Sequence, residues 1–84
     1  MQQRRVTVTV PGGVHARIAT QLARIAAAHV SSVFLLAPRA VSLARTIDLL
    51  ALGLTEGSEV TVVTDGRDEV AALAAVVAVL CPEA

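Results

Sequence analysis

The chain of 84 residues has a single aromatic side chain, Phe34, and contains neither tryptophan nor tyrosine. This composition argues against single-stranded nucleic-acid binding, in which bases commonly stack on aromatic rings. Basic and acidic residues number seven each, so the formal net charge is zero and no basic surface for duplex binding is expected. We therefore expect no nucleic-acid partner.

The chain has one cysteine, Cys81, which excludes an intramolecular disulfide and a cysteine-based zinc cluster. The apolar run at residues 70–81 is shorter than the roughly 20 residues that a membrane-spanning helix needs. Residues 1–10 alternate between polar and apolar side chains and lack the continuous apolar stretch of a secretory signal. A cytoplasmic protein without membrane contact, metal ion or cofactor is the expectation.

The length and the aliphatic composition, 55% hydrophobic residues, predict one domain over residues 1–84. Hydrophobic periodicity predicts strands at 5–10, 32–37, 40–43 and 59–64, and helices at 16–29, 46–52 and 68–80. The order βαββαβα is typical of an α+β domain with its helices on one face of a mainly antiparallel sheet.

His15 stands where the first predicted strand gives way to the first helix. This N-cap position favours Ser, Thr, Asp or Asn, and departures from such local rules are common at functional sites. A neutral imidazole is a nucleophile, and the free N–H groups of Ala16 and Arg17 would bind the oxygens of a phosphate attached to it. The residues suggest a phosphohistidine, although a loop histidine without a role fits the same position.

Arg17 lies in the first helical turn, where a cation is unfavourable for the helix dipole. Its position makes sense if a phosphate is bound there, because a guanidinium group matches phosphate oxygens in a bidentate way. An ordinary solvated arginine is the alternative. The other histidine, His29, is too distant in sequence and has too few companion ligands for a metal site.

Residues 14–20, Val-His-Ala-Arg-Ile-Ala-Thr, closely resemble the motif Gly-(Ile/Leu/Met)-His-(Ala/Thr)-Arg-Pro-Ala of the HPr family. Its members are the histidine-containing phosphocarriers of the bacterial phosphotransferase system. Residues 52–57 resemble the family's Leu-Gly-Leu/Ile-x-x-Gly turn, and residues 60–62 with Asp65-Gly66 resemble its last strand and the turn after it. The resemblance implies an open-faced β-sandwich whose four-stranded antiparallel sheet has the order 1-4-2-3.

By this resemblance, His15 would accept a phosphoryl group on Nδ1 from phospho-enzyme I and pass it to sugar-specific IIA domains, with Arg17 helping to hold the phosphate. Such a protein carries a group and is not a stand-alone turnover enzyme, and we expect a monomer. The implied partner surface comprises Thr20, Arg24, Ile47 and Leu50. At least one of the two apolar residues is expected to pack inward.

Two positions depart from the family pattern. Ile18 replaces a proline that would pre-set the first helical turn, so a slightly looser site is expected. Arg45 occupies the place of the family's regulatory serine, with Thr46 as its neighbour and not its match. Control by a serine kinase is therefore not expected, and Arg45 would bring a fixed positive charge to this surface.

Three other functions compete with the sugar-transport carrier. One is a carrier in a regulatory, nitrogen-type phosphorelay, and another is a non-catalytic interaction module derived from HPr, a kind of protein that commonly lacks the histidine. The third is an acylphosphatase-like enzyme, which has a similar element order but needs a water-orienting asparagine. The chain contains no asparagine, which counts heavily against the enzyme.

Overall fold

The computed structural model describes residues 1–82. Its elements follow the predicted order βαββαβα. The strands are β1 (Gln2–Thr7), β2 (Ser32–Leu36), β3 (Ala40–Ser42) and β4 (Glu59–Asp65). The helices are α1 (Ala16–Ala28), α2 (Thr46–Ala51) and α3 (Glu69–Leu80).

The four strands form one antiparallel sheet in the order β1-β4-β2-β3. The register of β1 against β4 runs from Gln2 opposite Thr64 to Thr7 opposite Glu59. On its other side β4 pairs with β2, which in turn pairs with β3. The predicted open-faced sandwich and its strand order are confirmed.

The core lies between one face of the sheet and the three helices. Every second residue of β4 is buried there, as the period of a half-buried strand requires. Helix α1 contributes Ile18, Ala19 and Leu22 to the same core. On the opposite face of the sheet, Leu36 is exposed and Phe34 is only half-buried. Helices cover one face, and the other is left open.

Strand β1 ends at Thr7, three residues before the predicted end at residue 10, because its partner β4 begins only at Glu59. Val8 and Val10 are still buried, as their alternation predicts, but the chain around them makes other hydrogen bonds. The N–H of Val8 donates to the Ser58 carbonyl at 2.8 Å. The N–H groups of Thr9 and Val10 both donate to the Leu80 carbonyl, at 2.9 and 3.0 Å. The segment that leads to His15 is thus attached to the end of α3.

The carboxylate of Asp68, predicted as the first residue of α3, instead bonds to the connection between α1 and β2. It accepts hydrogen bonds from the Ser31 hydroxyl at 2.5 Å, the Ser31 N–H at 3.0 Å and the Val30 N–H at 3.1 Å. These bonds, the Ser31 hydroxyl first among them, lower the pKa of the Asp68 carboxyl. The ionised carboxylate therefore ties the start of α3 to the end of α1.

Because the pKa of Asp68 is lowered in the folded state, its contribution to stability is present above the unfolded value and is lost as the pH falls through the folded value. We expect Ser31→Ala to lower the free energy of unfolding at pH 7 and to cost less once Asp68 is protonated. Urea denaturation at pH 7 and at a pH below the folded-state pKa of Asp68 measures both costs, with the exposed Ser32→Ala as control. An equal cost at the two pH values would contradict this account.

Candidate functional site

The loop before α1 packs closely against the backbone at Leu54. Gly13 is buried at φ +69°, and a Cβ added to it would lie 2.4 Å from the Leu54 carbonyl oxygen, so only glycine fits. The next residue, Val14, is buried and its N–H donates to that same carbonyl at 3.0 Å. These contacts hold the loop against the Leu54 backbone immediately before His15.

His15 is the N-cap of α1, with extended backbone angles of φ −90° and ψ −178°. Its half-buried side chain makes no capping hydrogen bond, and neither ring nitrogen bonds to any of residues 1–82. A Cβ added to Gly12 would lie 3.3 Å from Cδ2 of the imidazole and 3.8 Å from Nε2. The Cδ2–Nε2 edge therefore faces the loop, and Nδ1 lies on the opposite edge of the ring.

The first turn of α1 leaves backbone donors beside this imidazole. The first N–H groups of a helix have no acceptor within the helix, and those of Ala16 and Arg17 donate to no atom of residues 1–82. No acidic residue lies in this turn. The positive end of the helix dipole adds to these donors, so an anion attached to His15 would find a favourable field.

Arg17 is exposed, and none of the salt bridges among the described residues involves it. Its guanidinium group is therefore available for a ligand or partner. Ile18, where the family has proline, is almost completely buried, so its side chain serves the core. Unlike proline, it also retains a backbone N–H in the first turn.

Glu56 contacts the His15 loop although 44 residues separate it from Gly12 in the sequence. The N–H of Gly12 donates to Glu56 Oε1 at 2.8 Å. Sequence patterns identify Glu56 only as a turn residue, since nothing in the local pattern indicates a contact over such a separation. The fold alone brings it to the site.

The residues expected to form the partner surface lie on α1 and α2, which pack against each other. Arg24 is exposed, and the Thr20 hydroxyl donates to the Ala16 carbonyl at 3.0 Å. The expectation that Ile47 or Leu50 packs inward is wrong, because the two side chains are 82% and 39% exposed. Leu49 is the buried anchor of this short helix.

Arg45 is the N-cap of α2, and its Nε donates to Asp48 Oδ2 in an exposed ion pair. The positive charge expected at this position is therefore compensated by its neighbour three residues on. Thr46 is half-buried at the first residue of the helix. The N-terminal end of α2 thus carries a paired charge and no serine.

Comparison with known proteins agrees with this geometry. Residues 2–81 match the family described as PTS HPr component phosphorylation site. The chain belongs to this family. The HPr phosphocarrier proteins of Mycoplasma genitalium and Mycoplasma pneumoniae are 37% and 35% identical to it over 82 residues, 95% of this chain and 93% of theirs.

Two solved structures extend the comparison. Phosphocarrier protein HPr from Bacillus anthracis superposes with a TM-score of 0.88 at 28% identity, covering 94% of this chain and 95% of that one. The Bacillus subtilis protein Crh, described as a domain-swapped dimer, superposes with a TM-score of 0.75 at 32% identity, covering 99% and 97%. The chain is thus a member of the HPr phosphocarrier family of the phosphotransferase system.

None of the helices in residues 1–82 is both long and apolar enough to cross a bilayer. Within the same residues, no three side chains of the metal-ligating types His, Cys, Asp and Glu converge.

Proposed function

We propose that this protein carries a phosphoryl group on Nδ1 of His15, receives it from phospho-enzyme I and delivers it to sugar-specific IIA domains. The observation that carries the proposal is the position of His15 at the N-cap of α1, where neither the ring nitrogens nor the N–H groups of Ala16 and Arg17 have a partner among residues 1–82. Membership of the HPr family supports the same role.

The proposed step is a displacement at phosphorus. The Nδ1 lone pair forms the N–P bond while the bond between phosphorus and the donor's nitrogen breaks, and its electron pair stays with the donor. The phosphoryl oxygens then accept hydrogen bonds from the N–H groups of Ala16 and Arg17, and the Arg17 guanidinium group neutralises part of their charge. Transfer to the acceptor repeats the displacement in the opposite direction.

The exposed surface of the packed helices α1 and α2 suits brief docking to larger partners. Exposed Ile47 and Leu50 on α2 provide apolar contact, and exposed Arg17 and Arg24 on α1 provide positive charge toward acidic partners. The residues for the proposed phosphohistidine all lie in one chain, which suits a monomeric carrier. A regulatory phosphorelay would use the same chemistry, and the enzyme I that donates to His15 distinguishes the two pathways.

We expect His15→Ala to abolish labelling by phosphoenolpyruvate and enzyme I without changing the fold, because the nucleophile is lost while the core is untouched. The matched control is His29→Ala, which removes the only other histidine. Acid-labile phosphate is measured by gel shift and by mass spectrometry at neutral pH. Labelling of His15→Ala at the wild-type level would refute the assignment.

Arg17→Ala should slow phosphoryl transfer from enzyme I by roughly 10- to 100-fold, the loss expected for one charge-assisted contact worth ~1.5–3 kcal/mol. The thermal midpoint should stay near that of the wild type because the side chain is exposed. The control is Arg39→Ala, which removes an exposed arginine from the turn between β2 and β3. Quench-flow kinetics measure the transfer rates, and equal rates for both variants would exclude a role for Arg17.

We expect no modification of this protein by ATP and an HPr serine kinase. Arg45 has no hydroxyl group, and Thr46 is displaced by one residue, about 100° around the helix axis. Phosphosite mapping by mass spectrometry, with a serine-containing HPr in the same reaction as positive control, tests this expectation. Stoichiometric phosphate on Thr46 would show that the regulatory site has moved by one position.

A further inference from the structure

We propose that Glu56 is a positioning residue for His15. By holding the Gly12 backbone against the Nε2 edge of the imidazole, it restricts phosphorylation to Nδ1. The inference rests on the proposed phosphohistidine function and adds Glu56, which stands at an unspecified position of the family's turn motif. Its basis is the hydrogen bond from Gly12 to Glu56, together with the position of Gly12 beside the Cδ2–Nε2 edge of the ring.

Glu56 projects from a turn that is attached on both sides. Within the turn, the Thr55 N–H donates to the Ser58 hydroxyl oxygen and the Ser58 N–H donates to the Thr55 carbonyl, both at 3.0 Å. The Gly57 N–H donates to the Val8 carbonyl at 2.8 Å, which attaches the turn to the segment after β1. The carboxylate is therefore presented from a well-anchored backbone.

The other end of this contact lies against the imidazole. Gly12 has φ +80°, a conformation that side chains other than glycine rarely adopt, and its N–H points to the Glu56 carboxylate. A Cβ at this position would come within 3.3 Å of the ring, so the Gly12 backbone lies close beside the Cδ2–Nε2 edge. Neither ring nitrogen bonds to a described residue, and Gly12 lies on the Nε2 side of the ring, which is the asymmetry on which the proposal rests.

Without the Glu56 contact, the loop at Gly12 is free to move away from the ring. The loop retains its attachment one residue later, where Gly13 N–H donates to the Val10 carbonyl at 2.9 Å. Loss of the carboxylate should therefore open the space next to Nε2 without unfolding the site. A phosphoryl donor could then reach either nitrogen.

A small phosphoryl donor tests this independently of any protein partner. With phosphoramidate, a ring-nitrogen lone pair forms the new N–P bond, the P–N bond of the reagent breaks and its nitrogen leaves as ammonia. Two-dimensional ¹H–¹⁵N and ³¹P NMR distinguish Nδ1-phosphohistidine from the Nε2 isomer. The protein variants are Glu56→Ala, Glu56→Gln and, as a control, Glu59→Ala, an exposed glutamate that pairs with Arg5.

We expect phosphate only on Nδ1 of the wild type, and on both ring nitrogens of Glu56→Ala. Glu56→Gln should restore Nδ1 selectivity, because its amide oxygen can accept the same hydrogen bond, and Glu59→Ala should match the wild type. A purely structural role would lower the thermal midpoint but would leave the position of the phosphate unchanged. Exclusive Nδ1 labelling of Glu56→Ala, or failure of Glu56→Gln to restore selectivity, would overturn the inference.

A second measurement needs no phosphorylation. Hydrogen exchange of the Gly12 amide should accelerate several-fold in Glu56→Ala but not in Glu56→Gln, because only alanine removes the acceptor. Unchanged exchange would overturn the positioning role even if His15 is phosphorylated as proposed. Accelerated exchange together with an unreactive His15 would instead count against the phosphocarrier function itself.

Discussion

The site depends on the contact between the His15 loop and the backbone at Leu54. Gly13 lies so close to the Leu54 carbonyl that no side chain fits between them, and Val14 donates its N–H to the same oxygen. This contact joins the start of α1 to the connection between α2 and β4. The imidazole, the helix start and the exposed face of α2 are therefore held in one fixed arrangement.

His15 occupies the N-cap of α1 without making a capping hydrogen bond, and this leaves backbone donors for a phosphate. A Ser, Thr, Asp or Asn at this position typically stabilises a helix by ~1 kcal/mol relative to alanine, by accepting from a free N–H. His15 makes no such bond, so the N–H groups of Ala16 and Arg17 remain available. A phosphoryl group on Nδ1 would supply the missing acceptor as well as the negative charge that the helix dipole favours. The missing capping hydrogen bond weakens the helix, but the donors that it leaves would thus stabilise the phosphorylated state.

The surface of α2 departs from the family pattern at Arg45. Its exposed Ile47 and Leu50 keep an apolar contact area, which Leu49 supports from below. At the position where the resemblance implies a regulatory serine, Arg45 stands and pairs with Asp48. The charge at the start of α2 is consequently locally balanced.

The sequence by itself determined the element order, the inward-facing valines and the position of His15 at a helix start, since these follow from periodicity and from local capping rules. It also predicted the strand order, through resemblance to a family. Only the tertiary structure decided where β1 ends, because that depends on where β4 begins, and that Ile47 and Leu50 both face outward. The Glu56–Gly12 contact likewise needed the fold, because a hydrogen bond between residues 44 positions apart has no local signature. Local physics sets what each segment prefers, whereas the packing of distant segments sets which atoms meet at the site.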